Sequence, residues 1–172
     1  MSLAQAAQAA VQVFPPAIQV TMVAIAGAES GWDPTAAGDP CTANPGVPCC
    51  DGFTSFGLWQ IHTVHTDLLR QLTGSADPCV WRAWLSDPVH NAVAAYAVYR
   101  SPSGLANWTT YTDGAYRAYL AQAQAAVAQA RAGAGAGGGS PAGVLPGLTG
   151  VPLLFWAGVV GAAWWAWHQF RG

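Results

Sequence analysis

Glu29 is the only glutamate in this 172-residue chain, and the 28 residues before it carry no ionisable side chain. Ile18, Met22 and Ile25 precede it at helical spacing. At about 100° per residue, all four fall on one helical face. The other positions of that segment (Val20, Val23, Ala24, Ala26) are also apolar. The pattern therefore aims a carboxyl group along a buried face, at the C-terminal end of a helix. Burial and the helix dipole both disfavour the charged form and push the pKa upward. A carboxylic acid still protonated near neutral pH can act as the general acid of glycoside cleavage. The bland alternative is a partly exposed terminal residue making a local hydrogen bond.

Four cysteines form the second constellation: Cys41, Cys49, Cys50 and Cys79. An even set concentrated in one turn-rich segment reads as disulfides, with three possible connectivities. Adjacent cysteines rarely bond each other, so Cys49 and Cys50 each take Cys41 or Cys79. Disulfides imply an oxidising final location. Zinc is the rival reading, with His62, His65 or His90 assisting, but the spacing matches no common zinc pattern. No metal and no cofactor is expected.

These side chains need a scaffold. The sequence predicts mostly helices: residues 2–13, residues 17–30 with Pro16 as the first helical residue, 64–72, 104–111 and 115–132. Asp77-Pro78 and Asp87-Pro88 each read as an N-cap followed by proline at the first helical position. Residues 31–53 are dense in Gly, Pro, Asp and Cys, which reads as a long loop without helix or strand. Residues 54–61 read as a short extended segment. Trp59 is assigned to a cleft, and Trp32, Trp81, Trp84 and Trp108 to the core.

Composition narrows the function. Only 8% of residues are charged, against roughly 25% in an ordinary soluble protein. All six cations are arginines and the net charge is −2. A basic nucleic-acid-binding surface is excluded, and so is a charge-rich disordered chain. Residues 1–131 read as the folded domain and 132–148 as a Gly-rich linker. The G-x-G-x-x-G reading of that linker lacks the flanking strand and acidic partner it requires. Residues 149–170 are uncharged, long enough to cross a membrane, and carry Trp164, Trp165 and Trp167 near one end. The N-terminal segment lacks a positive n-region and is broken by prolines and glutamines, which argues against a secretion signal.

Four segments together carry a resemblance. Glu29-Ser30-Gly31-Trp32-Asp33-Pro34 resembles the E-S-x-aromatic-[DN]-P segment of lysozyme-like lytic transglycosylases of the goose-lysozyme-like type. Phe56-Gly57-Leu58-Trp59-Gln60-Ile61 resembles their G-L-x-Q-I segment. Asp87-Pro88 with Asn91 resembles their D-P-x-x-N helix start. Trp108-x-x-Tyr111-Thr112-Asp113-Gly114 resembles the region of their A-Y-N-x-G motif, with Thr112 in place of the asparagine. The segments occur in family order.

The resemblance implies a mainly α, lysozyme-like α+β fold with a small β element beside a cleft, to which the C-terminal hydrophobic helix is added. It implies cleavage of the β-1,4 bond between N-acetylmuramic acid and N-acetylglucosamine in peptidoglycan. Glu29 would protonate the glycosidic oxygen, then take a proton from the muramic C6 hydroxyl to close a 1,6-anhydro ring. Ser30, Gly57, Leu58, Trp59, Gln60, Asn91 and Tyr111 would meet substrate, with Tyr111 hydrogen-bonding near the Glu29 carboxyl. Most glycosidases need two carboxylates. Asp33, Asp39 and Asp51 lie in or beside the long loop, and a hydrolase positioning water by Asp39 or Asp51 stays open. The expected partners are glycan strands, a membrane and phage tail-tip proteins, in a virion and then the host envelope. The alternative is an inactive glycan-binding module whose membrane helix acts as a pore or docking element.

Overall fold

The computed structural model describes residues 2–136. The chain begins with α1 (Ser2–Val13), which ends where Pro15 and Pro16 remove backbone donors. The next helix, α2 (Gln19–Ser30), starts later than expected from Pro16. The intervening turn is fixed by the buried side chain of Gln19. Its amide donates to the Phe14 carbonyl at 2.8 Å and accepts from Arg131 Nε at 2.9 Å.

Contrary to the expected loop, residues 37–40 form a strand, β1 (Ala37–Pro40). It pairs antiparallel with β2 (Phe53–Phe56), which pairs in turn with β3 (Ile61–His62). The rows Gly38–Ser55–His62 and Ala37–Phe56–Ile61 cross all three strands. Turn formers are tolerated in β1 because it is an edge strand, where a proline costs no shared ladder bond. The expected single extended segment at 54–61 is a hairpin, reversed by positive φ at Gly57 and Gln60.

Short helices follow: α3 (Thr66–Thr73), α4 (Pro78–Leu85) and α5 (Pro88–Tyr99). Asp77 and Asp87 cap the last two as expected, Asp77 accepting the Cys79 N–H and Asp87 the Val89 and His90 N–H groups. Each such cap contributes about 1 kcal/mol. The helix expected at 104–111 is instead a 3₁₀ turn (Gly104–Asn107) and α6 (Thr109–Thr112). They are separated by Trp108, whose extended backbone delivers its indole N–H to the Trp59 carbonyl at 2.9 Å. A second 3₁₀ turn (Ala115–Tyr119) leads into α7 (Leu120–Ala136). This helix continues through Gly133 and Gly135, into the stretch read as linker; the rest of that stretch and the apolar segment 149–170 lie outside the described residues. Among the described residues, no helix is long and apolar enough to cross a membrane.

The core sits among α1, α2, α5 and α7. Ala6, Ala7, Ala9 and Ala10 of α1 are buried, as are Met22 to Ala26 of α2. Small side chains on α1 let its neighbours approach closely, and α2 is enclosed on every side. That is why α2 is apolar all round rather than along one stripe.

Candidate active site

Glu29 lies where α2 leaves the core, and its neighbours fix that exit. Gly31 takes φ +62° and returns its N–H to the last turn of α2, a left-handed cap suited to glycine. Trp32 also has positive φ, and its indole N–H donates to the Val23 carbonyl at 2.8 Å. The Trp32 ring meets Tyr119 edge-on at 5.3 Å. Ser30 Oγ lies 2.9 Å from the carbonyls of both Ala26 and Leu58, and so ties the helix end to the hairpin turn.

The Glu29 carboxyl is half-buried and accepts the Thr110 hydroxyl at 2.6 Å. Burial raises its pKa above the ordinary carboxyl range. The Thr110 hydrogen bond opposes that rise, while the nearby charges of Asp39 and Asp113 add to it. The upward direction agrees with the sequence reading. The hydrogen-bond partner does not: Thr110 takes the place expected of Tyr111, whose ring stacks on Tyr116 at 5.0 Å instead.

Glu29 opens into a cavity of about 380 Å³. One wall is the sheet, contributing Asp39, Ser55, Gln60 and His62; the other runs through Trp108, Thr109 and Thr110. A larger groove of about 700 Å³ runs between α1 and α7. Its lining is Ala, Gln, Leu, Val and Gly, with no titratable group, so acid–base chemistry belongs to the smaller cavity.

On the sheet wall, Asp39 has φ +56°, rare for a residue with a side chain. Its Oδ2 accepts the Ser55 hydroxyl, and its backbone carbonyl accepts the Thr54 hydroxyl at 2.8 Å. The Val64 N–H donates to His62 Nδ1 at 3.0 Å, so the ring proton sits on Nε2 and points to Thr54 Oγ1 at 3.2 Å. Burial lowers the pKa of His62 against the opposing charge of Asp39, and burial followed by the charge of His62 lowers that of His65. Both histidines that line the cavity therefore favour the neutral form. Gly38 makes room for Gln60: a Cβ there would lie 2.4 Å from Gln60 Oε1. The Gln60 amide donates to the Gly57 carbonyl at 2.9 Å, which holds its strained backbone.

Of the seven residues expected to meet substrate, Gln60 is the one that lines the cavity. Trp59 is a correction: it is fully buried, donates its indole N–H to the Met22 carbonyl at 2.8 Å, and meets Phe14 edge-on. Leu58 is buried beside it. Asn91 is fully buried as well. It accepts the Trp59 N–H at 2.9 Å and donates to the carbonyls of Phe56 and Leu85, so it latches the hairpin onto α5. Gly57 is required there, because a Cβ would lie 2.2 Å from Asn91 Nδ2. These motif residues shape the wall rather than line the cavity. Trp108 is buried in the core as expected, and it also contributes to the cavity lining.

The cysteines pair Cys41–Cys49 and Cys50–Cys79, one of the two arrangements the sequence left open. Both sulfurs in the cluster formed by Cys50, Asp51 and Cys79 are already bonded to each other, so the zinc alternative has no thiolate there. Asp51 pairs with Arg82, alongside the second disulfide. Asp33 accepts the Thr35 N–H and hydroxyl at 2.8 Å. Asp39 is thus the loop carboxylate that reaches the cavity. Its role was hidden in sequence because the strand that aims it was read as loop. Thr110 and Ser55 gave no signal beyond adjacency to the motifs.

A family model described as "Lysozyme like domain" matches residues 5–110, a span that runs from α1 to the Thr110 partner of Glu29. No curated protein and no solved structure matches the chain.

Proposed function

The chain belongs to the lysozyme-like domain family, and on that premise we propose that it cleaves the β-1,4 bond between N-acetylmuramic acid and N-acetylglucosamine in peptidoglycan. The observation that carries this reading is the half-buried Glu29 carboxyl, raised in pKa, at the mouth of a polar cavity. Glu29 protonates the glycosidic oxygen as the bond to the muramoyl C1 breaks. That step is common to both outcomes of this chemistry: closure by the muramoyl C6 hydroxyl, which leaves a 1,6-anhydro end, or attack by water, which leaves a reducing end. Gln60, Asn107 and Thr109 supply amide and hydroxyl groups to the cavity wall, suited to sugar hydroxyl and acetamido groups.

We further propose that residues 149–170 span a membrane, that the Gly-rich stretch following α7, up to residue 148, tethers the domain to it, and that a phage tail carries the chain to the host envelope. The uncharged, Trp-flanked sequence supports the first part. The two disulfides support an oxidising destination. Detection of the chain in purified virions tests the last part, and its absence there removes it.

The activity is tested by digesting purified peptidoglycan with the full chain and its Glu29→Gln variant, reading products by mass spectrometry. Muropeptides from the wild type alone support the reading. A folded wild type that binds glycan but releases nothing moves the function to a binding module with its work done at the membrane.

A further inference from the structure

The 2-nitrogen of an amino sugar can meet a protein in two forms. As an acetamido group it is neutral, with an N–H donor and a carbonyl acceptor. As a free amine it is a cation with three donors and no acceptor. We propose that the Glu29 cavity suits the second form, so that the chain takes glycan strands bearing free 2-amino groups in preference to fully acetylated ones. The inference rests on the glycan cleavage proposed above and names the form of the strand.

The charge of the cavity has one sign. Glu29 and Asp39 line it, and the charge of Asp113 reaches Glu29 as well. No arginine is among the lining residues, and the chain has no lysine. The lining histidines, His62 and His65, are kept towards their neutral forms by burial. Arg82 and Arg131 are spent elsewhere, on Asp51 and on Gln19. An entering cation therefore meets negative charge that no lining residue offsets.

Hydrogen-bond direction points the same way. The Asn107 amide donates to the Val98 carbonyl, Ser101 Oγ and the Gly104 carbonyl at 3.1, 2.9 and 2.7 Å. The Gln60 amide donates to the Gly57 and Ala36 carbonyls at 2.9 and 3.3 Å. Each amide then has its oxygen to offer a ligand. The Ser55 and Thr110 hydroxyls are committed to Asp39 and Glu29, and the His62 Nε2–H to Thr54. Thr109 and neutral His65 are the lining side chains left to donate, against acceptors on Asp39, Asn107 and Gln60. An ammonium group uses those acceptors; an acetyl carbonyl cannot.

Asp39 is the counter-ion. Ser55 holds one of its carboxylate oxygens and leaves the other for a ligand, while Thr54 fixes its backbone carbonyl. Glu29 is held by Thr110 on the other wall. The group that neutralises the ammonium and the acid that protonates the glycosidic oxygen are thus separate.

The test measures binding of two β-1,4-linked tetramers, of glucosamine and of N-acetylglucosamine, to the full chain by calorimetry in mildly acidic buffer. The glucosamine tetramer should bind about 5-fold more tightly, the scale of a partly solvated ion pair, and added salt should shrink the difference. Purified peptidoglycan should be cleaved with higher kcat/KM after enzymatic N-deacetylation than before it. Asp39→Asn should remove the difference between the tetramers, whereas damage to the fold weakens both alike. Asp67→Asn, which removes an exposed charge of α3 that does not line the cavity, should keep the difference; its loss there would mean attraction to the whole surface and overturn the inference. Equal or weaker binding of the glucosamine tetramer overturns it without need of a variant. Cleavage of native peptidoglycan with none of the deacetylated form overturns it and leaves glycan cleavage in place. A folded chain that cleaves neither form overturns both readings.

Discussion

Glu29 was legible in sequence because a lone glutamate at the end of an apolar helix has few bland explanations. Its electrostatic environment was only half legible. Burial along α2 follows from the helical period, but the Thr110 donor lies 81 residues away, beyond the reach of periodicity. The pair yields a signed prediction. A hydrogen bond to the ionised carboxylate lowers its pKa, so Thr110→Val removes a restraint and the pKa rises further. The alkaline limb of the activity profile, where Glu29 loses its catalytic proton, should move to higher pH; a pH–kcat/KM profile reads the shift. Stability carries the same sign. A carboxyl with a raised folded pKa contributes stability below the ordinary value of 4.5, and that contribution is lost as pH rises through the folded value. Glu29→Gln should therefore melt above the wild type at pH 7, with the advantage shrinking towards pH 4. Thermal melts at the two pH values check it.

Among the elements, the Asp-Pro helix starts and the Pro15-Pro16 break could be read directly, because capping and proline geometry are local. The sheet could not. β1 is built from Ala-Gly-Asp-Pro, a sequence with poor strand propensity, and only its partner β2 and its edge position make it a strand. Asn91 shows the same limit: its D-P-x-x-N context identified the helix correctly but not its task. A residue that meets substrate is replaced at a cost in KM; a buried latch is replaced at a cost in folding. Asn91→Ala leaves the Trp59 N–H and two carbonyls without their partner in the core. A loss of about 3 kcal/mol is expected, since each buried orphan costs about 1–3 kcal/mol. Urea denaturation should show it as a lower midpoint, and KM for the molecules that remain folded should be unchanged. Gly57→Ala should cost a similar amount, about 3 kcal/mol, from its clash and its positive φ.

The whole molecule divides its labour between a helical body and a crosslinked wall. The body needs little charge: Ala-rich helices close on one another, and the buried side chain of Asn91 bonds only backbone groups. All four cysteines instead serve the segment between β1 and β2 and its attachment to α4. The Cys50–Cys79 bridge, of sequence separation 29, constrains the unfolded chain more than Cys41–Cys49, of separation 8. On loop-closure entropy the first contributes about 3–4 kcal/mol and the second about 2–3 kcal/mol. Cys50→Ser/Cys79→Ser should accordingly destabilise more than Cys41→Ser/Cys49→Ser. The division of labour makes a stronger claim than this ranking, because it says where the loss falls. Once the bridges are reduced, β1 keeps only its ladder to β2, and its edge position gives it no second partner. The helices α2 and α5 keep their packing against α1, and α2 keeps its packing against α7. Amide exchange in the reduced chain should therefore accelerate in residues 37–63 by about 10²-fold, corresponding to roughly 3 kcal/mol of lost local stability. Amides of α2 and α5 should keep their protection. Equal acceleration in both regions would mean that body and wall unfold as one unit.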